Sequence, residues 1–133
     1  LGWHSYFKID ASSTLKAGYH SYFETDDSFL PLGDCLSVAN TLFDFRKASE
    51  LSGKQLDHTF TAPSNGVTIL KNKNYSINIK QNNLAYTQLF IPPDNKSIAI
   101  EPISSKPNSF NTEKVRILQA GQEYKALIII DLL

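Results

Sequence analysis

The chain has 133 residues, 41% hydrophobic and 11% aromatic, enough for the core of about one domain and too apolar for a disordered segment. Its 13 basic and 13 acidic residues cancel, so no net field steers it toward nucleic acid or an anionic membrane. The single cysteine, Cys35, excludes an internal disulfide and a CxxC metal site, and His4, His20 and His58 lack the spacing of a histidine metal centre.

From the amino terminus, residues 3–9 are short and aromatic-rich, which predicts a strand carrying His4. Residues 10–14 read as a loop, 15–24 as a second strand region holding Tyr19, Tyr22 and Phe23, and 29–32 as a short strand before Gly33. Over 38–46, Phe43 and Phe45 alternate with Asp44 and Arg46, the pattern of a half-buried strand. Residues 47–51 make the only plausible helical turn, stopped by Ser52 and Gly53. Further strands are predicted over 57–62, 67–71, 75–81, 84–91, 97–101, 114–119 and 123–132, with Pro-, Asn- and Gly-rich turns between them. Many short strands with no long helix predict an all-β sandwich or barrel. No apolar run approaches the ~18 residues of a membrane helix, and neither a basic nor an apolar leader opens the chain. A soluble, cytoplasmic protein is expected. His4-Ser5-Tyr6-Phe7 recurs as His20-Ser21-Tyr22-Phe23, but one echo with different flanks is not a period, and the second copy reads as chance.

The stretch 97–102 is the most informative. Ile98 and Ile100 alternate with small Ser97 and Ala99, one packed face and one tight face, and then Glu101 is followed at once by Pro102. Proline removes the next backbone donor and biases Glu101 to an extended conformation, which predicts a carboxylate presented at a strand end. Downstream, residues 106–111 form a polar loop with one aromatic, suited to a polyhydroxylated ligand. His4, Asp57, His58 and Glu101 are the ionisable groups set apart by context, and a histidine with a carboxylate in one cleft is the minimal set for general acid and base chemistry. Each also has a plainer role open to it: a satisfied surface or core histidine, a turn aspartate with local hydrogen bonds, a surface glutamate before a turn. Ser5 and Ser21 lie in no nucleophile elbow, Cys35 gains no activation from Asp34, and the six glycines form no phosphate loop.

Gly2-Trp3-His4-Ser5-Tyr6-Phe7 resembles the catalytic histidine motif of the aldose 1-epimerases, the galactose mutarotases. Leu30-Pro31-Leu32-Gly33 is similar to that family's Leu-Pro-Thr-Gly turn, Thr41-Leu42-Phe43-Asp44-Phe45-Arg46 to its Phe-Asp-Phe-Arg segment, and Leu56-Asp57-His58 to its sugar-contacting Leu-Asp step. Residues 101–111 resemble its Glu-Pro-x-Thr-x-x-Pro-Asn-Ala-Phe-Asn loop, with Ser104 where Thr is usual. The matches run in the family's order along nearly the whole chain. The resemblance implies a β-sandwich of the galactose mutarotase supersandwich type and interconversion of the α and β anomers of a hexose such as glucose or galactose. In it Glu101 is the base, His4 the acid and Asp57 a ligand of sugar hydroxyls, with no cofactor and no metal. Members run to roughly twice this length and begin with strands bearing a second histidine and an arginine, so residues 1–133 correspond to the C-terminal portion. A homo-oligomer, or pairing with the N-terminal half, is therefore expected along the apolar stretch 126–130. The competing readings are a sugar-binding β-sandwich without catalysis and an interaction module that binds no sugar. Because successive strand residues face opposite ways, His58 should point away from any sugar that Asp57 holds, and its removal should leave affinity intact.

Overall fold

Period-two alternation, repeated from strand to strand, folds the chain into two antiparallel sheets; the computed structural model describes residues 1–111 and 115–133. The strands are β1 (Ser5–Lys8), β2 (Thr14–Ala17), β3 (Ser21–Tyr22), β4 (Leu36–Ser37), β5 (Ser49–Glu50), β6 (Asp57–Thr61), β7 (Val67–Lys71), β8 (Ser76–Asn82), β9 (Tyr86–Phe90), β10 (Ser97–Ile103) and β11 (Leu127–Leu132). One sheet is six-stranded in the order β1-β10-β9-β6-β3-β4, the other five-stranded in the order β11-β8-β7-β2-β5. The core lies between them. Phe60, Leu89, Ile98 and Ile100 from the first sheet and Leu15, Leu70 and Ile79 from the second are buried in one cluster. Each such side chain contributes ~1.5–3 kcal/mol on leaving water. Tyr19 enters the same cluster because its hydroxyl has a partner, Thr68 Oγ1 at 2.8 Å, and burial pushes its phenol up to about 12.

The predicted all-β sandwich is therefore present, and most predicted strands fall on observed ones. Two of the exceptions, 38–46 and 29–32, share a cause, which is local side-chain hydrogen bonding. Residues 38–46 form turns, not a strand: Thr41 Oγ1 accepts the Phe43 N–H at 3.1 Å and Asp44 Oδ1 accepts the Arg46 N–H at 3.2 Å, each replacing a ladder bond. The alternation still describes burial, since Phe45 is enclosed while Asp44 and Arg46 pair outside, Arg46 Nε to Oδ1 at 2.8 Å and Arg46 Nη2 to Oδ2 at 2.6 Å. That fork holds the Asp44 carboxyl down at about 2. Residues 29–32 form no strand, because Asp26 Oδ1 takes the N–H of Ser28 and of Leu30 and leaves only a bridge from Thr25 to Pro31. In place of a helical turn at 47–51, Ser49 and Glu50 pair with Leu15 and Thr14 of β2. Of the strand predicted over 114–119, Lys114 lies outside the described residues and 115–119 have no strand; the last strand starts at Leu127, not 123.

The strand carrying Glu101 does not end there but runs on through Pro102 to Ile103. Bonds between Ile9 N and Lys96 O (2.9 Å), Trp3 N and Pro102 O (3.2 Å), and Ser104 N and Leu1 O (2.8 Å) show that the donor missing at Pro102 faces β1, the edge strand, where one absent bond is tolerated. At the other sheet's edge, β11 exposes Leu127, Ile129, Ile130 and Leu132. No helix among the described residues is long and apolar enough to cross a membrane.

Candidate active site

The register of the six-stranded sheet decides which side chains meet. Ser5 lies opposite Ile100, and Gly2 is bridged to Ile103, so the same pairing sets His4 opposite Glu101. Glu101 is opposite Gln88, and Gln88 opposite Thr59. Residues directly opposite share a face, which makes His4, Glu101, Gln88 and Thr59 one rung across four neighbouring segments, with Asp57 two residues along β6 on the same face. The core residues Phe60, Leu89 and Ile100 occupy the alternate positions and point the other way.

The rung is wired by hydrogen bonds. Thr59 Oγ1 donates to Gln88 Oε1 at 2.5 Å, which fixes the amide so that Gln88 Nε2 donates to Asp57 Oδ1 at 2.8 Å. His4 Nε2 stands 3.3 Å from Glu101 Oε1, with the glutamate side chain 13% exposed and the histidine 57%. Burial pushes the Glu101 carboxyl above the ordinary glutamate range; His4 opposes the shift and the Asp57 carboxylate adds to it. The result is a base with a strengthened hold on a proton, touching a histidine, beside a second carboxylate tethered to an amide. That set can take a proton from a hydroxyl, return one to a neighbouring oxygen, and bind further hydroxyls.

The local sequence explains the placement. A Cβ on Gly2 would meet Ile103 Cγ2 at 2.6 Å and Pro102 O at 3.2 Å, so only glycine lets the chain before β1 lie this close to β10 and bring His4 over Glu101. Tyr6, two residues on, stacks on the His4 ring at 5.1 Å between centroids. His58, by contrast, points to the core side, with its ring 4.5 Å from Phe43 and 6.1 Å from Tyr22.

Of the four ionisable residues set apart in the sequence, Glu101, His4 and Asp57 are thus brought together on one open sheet face, and His58 is not. Gln88, Thr59 and Tyr6 were not anticipated. The available signals were a lone glutamine inside the apolar run 84–91 and a tyrosine two residues from His4 on the same strand. On the same face, a recess of about 200 Å³ lies among Phe23, Tyr86, Lys106 and Ser109, with Lys106 Nζ 3.9 Å over the Phe23 ring. The loop predicted to hold a ligand borders it and is fixed by Ser109 Oγ donating to Lys106 O at 2.5 Å, while Phe110 projects into solvent. Among the described residues no cluster of three or more His, Cys, Asp or Glu is placed to hold a metal ion.

A search of curated proteins returns no match. Solved structures do match. A GalM/aldose epimerase homologue from Caenorhabditis elegans superposes with a TM-score of 0.81 at 22% identity, over 98% of this chain and 50% of its own. An Escherichia coli K12 protein whose assignment as an aldose 1-epimerase is itself provisional gives 0.74 at 18% identity, over 99% of this chain and 50% of its own. Galactose 1-epimerase from Lactobacillus acidophilus gives 0.63 at 22% identity, over 75% of this chain and 40% of its own. At such identities these structures establish the shared fold, and the chain spans about half the length of the first two. The sequence model of the aldose 1-epimerase family matches residues 1–131, nearly the entire chain, and the chain belongs to that family.

Proposed function

We propose that this chain supplies the proton-transfer groups of an aldose 1-epimerase that interconverts the α and β anomers of a free hexose, glucose or galactose, by opening and reclosing the ring. The observation that carries the reading is the 3.3 Å contact between His4 Nε2 and Glu101 Oε1 on the face where Gln88 holds Asp57. Glu101 takes the proton of the C1 hydroxyl as the bond from C1 to the ring oxygen breaks, and His4 gives a proton to that oxygen. The products are an open-chain aldehyde, a protonated Glu101 and a neutral His4. Rotation about C1–C2 presents the other face of the aldehyde, and reclosure reverses both transfers. The two oxygens are bonded to the same carbon, so an acid and a base that touch in the free protein need part only a little to address both. A raised carboxyl pKa suits the base, since a stronger hold on the proton helps draw it from the hydroxyl. Asp57, tethered by Gln88, accepts hydrogen bonds from hydroxyls further round the ring.

The optical rotation of freshly dissolved α-D-galactose and α-D-glucose tests this. Relaxation should be faster with protein than without, and Glu101→Gln, which keeps the shape but cannot accept the proton, should lose about 10²- to 10⁴-fold of that rate while still binding sugar. An unchanged rate in Glu101→Gln would refute the assignment. One observation favours a second reading, a sugar-binding sandwich without catalysis: with His4 57% exposed the face is wet, whereas proton-transfer sites usually exclude water. That reading expects sugar binding with no acceleration at all. The exposed apolar residues of β11 support the further expectation of a homo-oligomer or of pairing with more of the family's sandwich. A monodisperse monomer without dye-binding apolar surface would count against it.

A further inference from the structure

The six-stranded sheet has a gap beside Asp57. The ladder between β6 and β9 bonds from Ile91 N to Leu56 O (2.9 Å) and from Ala62 N to Ala85 O (2.9 Å), which in an antiparallel pair turns the Asp57 N–H the other way, toward β3. On that side Phe23 N still reaches Thr59 O at 2.9 Å, but Thr25, which the register would bring opposite Asp57, is bridged to Pro31 instead. The Asp57 N–H finds its acceptor next door: His58 Nδ1, at 3.2 Å.

We propose that His58 is a positioning residue for Asp57, a neutral imidazole that pins the Asp57 backbone, and with it the carboxylate that Gln88 holds, and that lets go when it is protonated. Nδ1 can accept only while it carries no proton, so the proton of the neutral ring sits on Nε2; a second proton on Nδ1 would set donor against donor. The surroundings favour the neutral ring. Burial against Phe43 and Tyr22 is the larger influence and draws the His58 pKa below the ordinary histidine value, with the Asp57 carboxylate opposing. The ionisable groups about the ring are Asp57 on its own strand, Glu24 from the segment after β3, and the Tyr22 phenol; Thr25, Leu32 and Phe43 complete the recess. The latch therefore holds at neutral pH and opens in acid. The His58 ring faces away from Asp57's side of the sheet, as the alternation predicts, but its nitrogen reaches back to the Asp57 main chain, and on this proposal its removal weakens affinity where the facing alone predicts no loss. Only the predicted effect on affinity rests on the sugar-binding role given to Asp57 above; the backbone contact is independent of it.

The test uses the whole chain and two variants, His58→Phe, which keeps the ring packing and removes the acceptor, and His58→Asn, whose amide oxygen restores it. Nitrogen NMR of the wild type should show the Nε2–H tautomer, and the Asp57 amide should be protected from hydrogen exchange until His58 titrates. In His58→Phe that protection should fall about 10-fold, the worth of one hydrogen bond, with the Phe60 and Leu89 amides unchanged; His58→Asn should recover most of it. Affinity for D-galactose should follow, weaker by about 3- to 10-fold in His58→Phe and regained in His58→Asn. An Nδ1–H tautomer, or an Asp57 amide that exchanges equally fast in wild type and His58→Phe, overturns the proposal. Should the wild type bind no galactose, the epimerase reading fails, and the exchange data alone still decide whether the latch exists.

Discussion

The same four residues, His-Ser-Tyr-Phe, stand twice in the six-stranded sheet and face opposite ways. In the copy leading into β1, His4 and Tyr6 lie on the face that carries Glu101, stacked on each other, and Phe7 packs against the core. In the copy at β3 it is Tyr22 that enters the core, while Phe23 turns to the other side against Tyr86 and Lys106, and His20 is exposed. The phase differs because the neighbours differ. Ser5 is held opposite Ile100 and Tyr22 opposite Phe60, so the core side falls on Ser5 and Phe7 in one copy and on Tyr22 in the other. A local sequence thus fixes alternation, and the strand beside it fixes which half of the alternation joins the His4–Glu101 rung.

The comparison can be broken most directly at its histidines. His4→Asn should lower the acceleration of galactose mutarotation about 10²- to 10⁴-fold, whereas His20→Asn should leave it unchanged; equal losses in the polarimeter would mean that position in the sheet does not distinguish the copies. The tyrosines should separate by stability. Tyr22→Ala, which empties a buried aromatic site, should cost about 3–5 kcal/mol in urea unfolding, and Tyr6→Ala, at 51% exposed, about 0.5 kcal/mol or less. A smaller effect is expected from Gly2→Ala. The added Cβ pushes the β1 lead off Ile103 and Pro102, so turnover should fall by up to about 10²-fold with little change in unfolding midpoint, because the displaced segment lies at the sheet edge.

The smallest effect sharpens the contrast from the partner's side. Tyr22 faces an apolar Phe60, but His4 faces a carboxyl whose pKa is raised by burial. A raised folded-state pKa means that Glu101 contributes stability below the ordinary glutamate range and loses it as pH rises through the folded value. Glu101→Gln should therefore melt at or above the wild-type temperature at pH 7, with the difference closing toward pH 4. A variant clearly less stable at pH 7 would show that the ionised group is welcome there after all.

The sequence made strands legible wherever alternation ran unopposed, as at Val67–Lys71, and misled where an Asp or Thr could bond its own backbone. Phe43 to Arg46 has the pattern of a strand and the hydrogen bonds of a turn, since one carboxylate captures both the Arg46 N–H and its guanidinium. Pro102 looked like a terminus, but a proline ends a strand only if its missing donor faces a ladder that needs it. Glu101, His4 and Asp57 could be picked out as a group by motif order and not by periodicity, which assigns faces without saying which strands are neighbours. Gln88 escaped for that reason: a polar residue in an apolar run becomes interpretable only once Glu101 is known to lie beside it and Thr59 on its other flank.

The rung from His4 to Thr59 has a bearing on how such a chain can change in length. One residue inserted between Tyr86 and Gln88 would turn the glutamine inward and an apolar neighbour outward, cutting Asp57 from its tether without altering a single functional residue. The connections at Asn83 and Asn95, left-handed turn positions beyond the rung, are free of that constraint, and extra residues there cost little in closure entropy. Insertions and deletions should accordingly collect in these two connections, the β9–β10 hairpin and the β8–β9 crossover between the sheets, while the strands keep their length even as their residues drift.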